Sequence, residues 1–155
     1  MHVYTLFEFI LLALYYKSVL QGSWIQRFVH PAIVFFAVLC VINALFFQNF
    51  FTYNTHTKSI EALFVIVMGI VCFKRELDSV AAGNKRNAAL TYINAGLLIY
   101  FSGSFIWFTI YNLTWRDEKL GLIMWTVHAT LLLTMYMLIA IALWKYKRPE
   151  TTSTT

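Results

Sequence analysis

Five long apolar runs constrain this chain more than anything else in it. They cover residues 3–20, 31–51, 59–73, 88–113 and 121–144 of 155. A helix needs about 20 largely apolar residues, roughly 17–25, to cross the hydrocarbon core of a bilayer. The runs are continuous, whereas a membrane-barrel strand alternates between apolar and polar positions. The expected fold class is therefore all-α: a polytopic transmembrane helical bundle with five spans. No connection between runs is long enough to fold alone. Residues 1–148 read as a single membrane domain and 149–155 as a short polar tail.

Composition agrees. The chain is 60% hydrophobic and 12% charged, against about 45–50% and about 25% in soluble domains. A net charge of +5 raises the question of nucleic acid, but the basic residues stand in short clusters between apolar runs, so no nucleic-acid partner is expected. Cys40 and Cys72 both lie inside apolar runs and read as small packing residues, not as a disulfide or thiolate site. The first residues lack the basic region of a secretory signal, and Glu8 interrupts the apolar stretch, so the start reads as mature sequence.

The basic residues also set an orientation. Lys17, Arg27, Lys74, Arg75, Lys85, Arg86, Lys145, Lys147 and Arg148 fall on one side, which leaves Lys58, Arg116 and Lys119 of the 12 on the other. The positive-inside rule then places the N-terminus outside and the C-terminus in the cytoplasm. Pro31 suits a first helical turn, where no backbone donor is lost. Lys74-Arg75-Glu76 is expected to end the third and shortest helix, and 74–87, with Gly83-Asn84, to form a cytoplasmic turn.

Several segments are similar to recurring pieces of small bacterial multi-pass membrane proteins of unknown function. They are YTLFEFILL at 4–12, IEALFVIVM at 60–68, YFSGSF at 100–105, and a final helix with Trp125 and His128 that closes on ALWK at 142–145. The resemblance covers roughly residues 4–147. Members of that family commonly have seven helices, and this chain resembles the last five. The resemblance implies a multi-pass protein of the bacterial inner (cytoplasmic) membrane, with helices upstream of this chain or a shorter paralogue. It implies no activity.

An ionisable residue inside a spanning helix must face protein or water, which makes each one a site candidate. Glu8, His128 and Asn43 fall about 10–12 Å below the outer ends of their helices at 1.5 Å per residue, and Glu61 lies within the first turn of the third. No acid or histidine is placed comparably in the inner half. Glu8 shares a stripe with Tyr4, Tyr15 and Ser18, which is expected to face protein. Glu61 behind Ser59 reads either as a ligand of the outer site or as a charge complementing the helix dipole. Asn43 reads as a site residue or as interhelical glue. Equal depth makes Glu8 and His128 candidates for a coupled, proton-sensing pair. Gly96 and Gly103 share a face near Tyr92, Tyr100 and Trp107, expected to admit another helix closely.

Catalytic signatures are missing: there is no GxSxG, HExxH, CxxC or glycine-rich phosphate loop. No cofactor is called for, because only His128 lies within a span where a haem pair would need two. His2, His56 and His128 share the outer side without forming a metal site in this reading, and His30 is interfacial. The leading functional expectation is a sensory or signal-relay module with an outer polar pocket, the lipid bilayer around it and a separate cytoplasmic or membrane partner for output. The alternatives are an assembly subunit using the glycine face for a homo-oligomer or partner, and a small lipid-handling enzyme or transporter. One-sided polarity and the lack of an internal repeat weigh against transport.

Overall fold

A computed structural model describes residues 2–43, 55–84, 87–114 and 118–146. It contains α1 (His2–Val19), a 3-10 turn (Trp24–Phe28) running into α2 (Val29–Ile42), α3 (Thr55–Ala81), α4 (Ala88–Thr114) and α5 (Glu118–Lys145). Every regular element among the described residues is helical, as the continuous apolar runs require. The expected tail at 149–155 and the end of the second run at 44–51 lie outside the described residues.

The third helix differs from expectation. It begins at Thr55 and continues to Ala81, through the charged residues that were expected to end it. Lys, Arg and Glu end an apolar run but are good helix formers, so charge marks the edge of a hydrophobic stretch and not a helix stop. The stop comes at Gly83, whose φ of 87° only glycine adopts freely. There Gly83 N donates to Val80 O at 2.9 Å and Asn84 N to Ser79 O at 3.1 Å, which closes the last turn. Asn87 opens α4, its Oδ1 accepting from Leu90 N at 3.2 Å.

α4 lies between α3 and α5, and these are the two most extensive helix pairings; α1 packs on α2 and α3. Successive helices run in opposite directions, so the bundle has two ends. One gathers Glu8, Asn43, Lys58, Ser104 and His128. The other gathers Lys17, His30, Arg75, Thr91 and Lys145. The core also has two parts. Tyr16, Leu20, Val65, Leu97 and Phe101 form one. Phe9, Ala13, Val29, Phe36 and Cys40 form the other, with the Phe9 and Phe36 rings stacked at 3.9 Å between centroids.

The distribution of polarity is inverted relative to a water-soluble fold. Thr5, Asn43, Glu61, Asn94 and Ser104 are buried, while Phe7, Leu11, Leu122, Ile123, Leu133 and Leu143 are exposed. Exposed threonines of α5 turn their hydroxyls back on their own helix: Thr126 Oγ1 donates to Leu122 O, Thr130 to Thr126 O and Thr134 to Thr130 O, at 2.8–2.9 Å. Such bonds satisfy polar groups where no water is at hand. Trp24–Ile42, Ala88–Thr109 and Glu118–Lys145 are each long and apolar enough to cross a membrane, which fits a membrane protein.

The glycine face of α4 meets α5 of the same chain. A Cβ at Gly96 would lie 3.3 Å from Met135 O, and one at Gly103 only 2.3 Å from Leu131 Cδ1. Close helix approach is what small residues permit in lipid. α5 of the same chain covers this face.

Candidate functional site

The polar groups on the first three helices are set by register. On α1 the buried stripe is Thr5, Phe9, Ala13 and Tyr16, continued by Leu20 just past its end. This corrects the expected one: Tyr4 is 65% exposed, and Glu8 flanks the buried stripe instead of centring it. On α3, Thr57, Glu61 and Val65 are all buried at four-residue spacing. Because α3 starts at Thr55, Glu61 lies beyond the first turn, where it cannot complement the helix dipole; that reading is overturned.

Lys58 is the centre of the site. Its Nζ donates to Glu8 Oε2 across the α1–α3 interface and lies 2.8 Å from Glu61 Oε2 on its own helix. The Lys58 and Glu8 side chains retain 13% and 21% of their accessible surface, and Glu61 retains none. The ammonium also stands 5.1 Å from the centre of the Tyr4 ring, a cation–π distance. Glu61 Oε1 has no hydrogen-bond partner, and neither does Thr57 Oγ1, one turn away on the same face. One ammonium thus serves two carboxyl groups; with both ionised, one negative charge is in excess.

The remaining candidates lie at the same end of the bundle. Asn43 is buried at the end of α2, where its backbone N–H donates to Cys40 O and Leu39 O. Cys40, free and buried, is near enough to feel the charges of Glu61 and Lys58. His128 is half-buried on α5, its Nδ1 3.1 Å from Ser104 Oγ and its ring beside Tyr100, Phe108 and Trp125. The expected Glu8–His128 bond is not made: Glu8 pairs with Lys58 and His128 with Ser104.

Two features escaped the sequence reading. Lys58 was counted as a connector charge because it precedes the apolar run, although its i,i+3 spacing to Glu61 was there to be read. The second is a fully buried polar link in mid-bundle. Tyr16 Oη donates to Asn94 Oδ1 at 3.1 Å, and Asn94 Nδ2 donates to Gly69 O at 2.9 Å, joining α1, α4 and α3. The signal was an amide deep inside an apolar helix.

The opposite end is held by separate contacts. Lys17 Nζ donates to His30 Nε2 at 2.5 Å and Arg75 Nη2 to Gln21 O at 2.6 Å, while Thr91 Oγ1 donates to Glu76 Oε1. Between α1, α3 and α4 lies an open cleft of about 200 Å³, with Cys72 and Leu90 among its apolar lining and Arg75 and Glu76 among its charges. Compared with known proteins, the chain matches no family model, no curated protein and no solved structure.

Proposed function

We propose that this chain is a five-span protein of a bacterial cytoplasmic membrane, N-terminus outside, acting as a sensory or signal-relay module. The observation that carries the reading is Lys58, clamped between Glu8 of α1 and Glu61 of α3. Support for α1 and α3 as spans comes from their outward stripes. Phe7, Leu11 and Leu14 on α1, and Leu63, Val67 and Ile70 on α3, are exposed apolar residues at helical spacing. In water such faces would be an aggregation hazard; in a bilayer they meet lipid. At 27 residues α3 is about 40 Å long, enough to span.

A charged clamp of this kind is conditional. Its strength changes when a proton or ligand alters the charge on either carboxylate, whereas apolar packing does not respond. Loosening it frees the α1–α2 pair to shift against α3, α4 and α5. That shift reaches the far end through α1, where Lys17 and Gln21 make their contacts, and there it would be read by a separate partner.

Paired spin labels test this. Labels replacing Ser18 and Asp78 report the α1–α3 separation at the far end in liposomes. The separation is expected to change by about 2 Å or more between pH 5 and 8.5, the scale of helix shifts in switching proteins. An unchanged separation would reject the relay.

A further inference from the structure

With both carboxyls ionised, the cluster's charges do not balance. Glu8 and Glu61 would then bring two negative charges against one positive on Lys58, with Glu61 at zero exposure. An uncompensated charge there is unfavourable enough that a protein normally neutralises it. The place where neutralisation is missing can be identified. Glu61 Oε1 and Thr57 Oγ1 are both buried and both lack a hydrogen-bond partner, and they belong to residues spaced i and i+4 on one face of α3. Thr57 is 1% exposed, so water does not reach it freely. Elsewhere in the cluster, Lys58 is already committed to Glu8 Oε2 and Glu61 Oε2.

We infer that this end of the bundle is a binding site for one monovalent cation, held at Glu61 Oε1 and Thr57 Oγ1 beside the Lys58 clamp. The inference deepens the proposed function, since it names the ligand class to which the clamp responds. Two sources share the chemistry. A proton on Glu61 Oε1 makes the carboxyl a donor toward the threonine oxygen. A sodium ion takes both oxygens as ligands. Either brings the cluster to neutrality without displacing Lys58.

Other groups around the cluster define what must be separated in a test. α1 contributes Glu8 and Tyr4, α2 contributes Cys40, and α5 contributes His128, which feels the charges of Lys58 and Glu8. His128 is the one that would mimic a proton response near neutral pH.

The experiment is thermal unfolding of the purified full chain in detergent micelles. One series varies NaCl against choline chloride at pH 8.5; the other varies pH from 5 to 9 in choline alone. Binding to the folded state raises Tm by mass action, and a rise of about 5 °C is expected in at least one series. A rise with sodium alone identifies a sodium site, a rise with acid alone a proton site, and rises in both a site that takes either. Glu61→Gln should abolish the dependence, and Glu8→Gln, which also restores neutrality, should weaken it at least tenfold in midpoint concentration. His128→Gln should leave it intact. Flat Tm in both series, or a dependence that survives in both glutamine variants, overturns the inference. If Tm responds while the Ser18–Asp78 separation stays fixed, the site stands and the relay falls.

Discussion

α5 meets α4 across a glycine face, and α1 meets α3 across a charged clamp as well as apolar packing. In the first interface two glycines let a helix backbone come so close that a Cβ at Gly96 would touch Met135 O at 3.3 Å. In the second, a lysine stands between carboxylates from the two helices. Close packing depends on nothing but volume, so it is the same at every pH and ion concentration. A charge clamp depends on what else is bound. On the proposed reading, the difference divides the bundle into a fixed half, α3 to α5, and a half whose attachment is conditional.

The most damaging test removes the clamp's cation. Lys58→Met leaves two carboxylates facing each other, and breaking a buried ion pair from one side costs about 3–5 kcal/mol. The loss should be largest at pH 8.5 and should shrink in the Lys58→Met, Glu61→Gln double variant, read by thermal unfolding. A loss below about 1 kcal/mol at pH 8.5 would show that the clamp does not hold α1 to α3.

The fixed half should break differently. Gly96→Leu and Gly103→Leu force a side chain into filled space and should each destabilise by about 1–3 kcal/mol. Their effect should be equal at pH 5.5 and 8.5, within error. At Gly103 the obstruction is the tip of Leu131, and at Gly96 it is the backbone of Met135 together with Leu138 Cβ. The milder Gly103→Ala should accordingly be absorbed by a rotamer change at Leu131. A pH-dependent glycine variant would erase the distinction between the two interfaces.

The interfaces were not equally legible. Apolar runs predicted α4 and α5 almost to their ends, and spacing placed Gly96 and Gly103 on one packed face. The clamp was only half visible. Glu8 and Glu61 stood out because acids are rare in apolar helices, while Lys58 sat just outside the run and was read with the connectors. Hydropathy marks where a chain leaves the apolar phase; it does not mark where the helix begins. Once α3 starts at Thr55, Lys58 comes within one turn of Glu61. Depth along a helix could not replace that register. It matched Glu8 with His128, yet which helices touch is decided by packing.

The Tyr16–Asn94–Gly69 link spans both halves and should matter moderately. Tyr16→Phe keeps the ring and removes the donor to Asn94 Oδ1. Hydrogen bonds between membrane helices average about 0.6 kcal/mol and reach about 1.7, so about 1 kcal/mol is expected in thermal unfolding. Asn94→Leu should cost more, because it also leaves Gly69 O without its donor and adds bulk beside Gly69. If Tyr16→Phe is neutral, this hydrogen bond does not help to join the halves.

The smallest expected effect is also the sharpest on the site's composition. Glu8 and His128 sit at one end of the bundle, but each has its own partner, Lys58 for the acid and Ser104 for the histidine. Residues without a shared partner combine nearly additively, within about 0.3–0.5 kcal/mol. A double-mutant cycle with Glu8→Gln and His128→Gln should therefore show coupling below about 0.5 kcal/mol. The parallel cycle with Glu8→Gln and Lys58→Met should show a coupling several times larger, because either single change strands a charge that the double change removes. Were the first cycle to match the second, His128 would belong to the charged cluster, and the conditional half of the bundle would extend to α5.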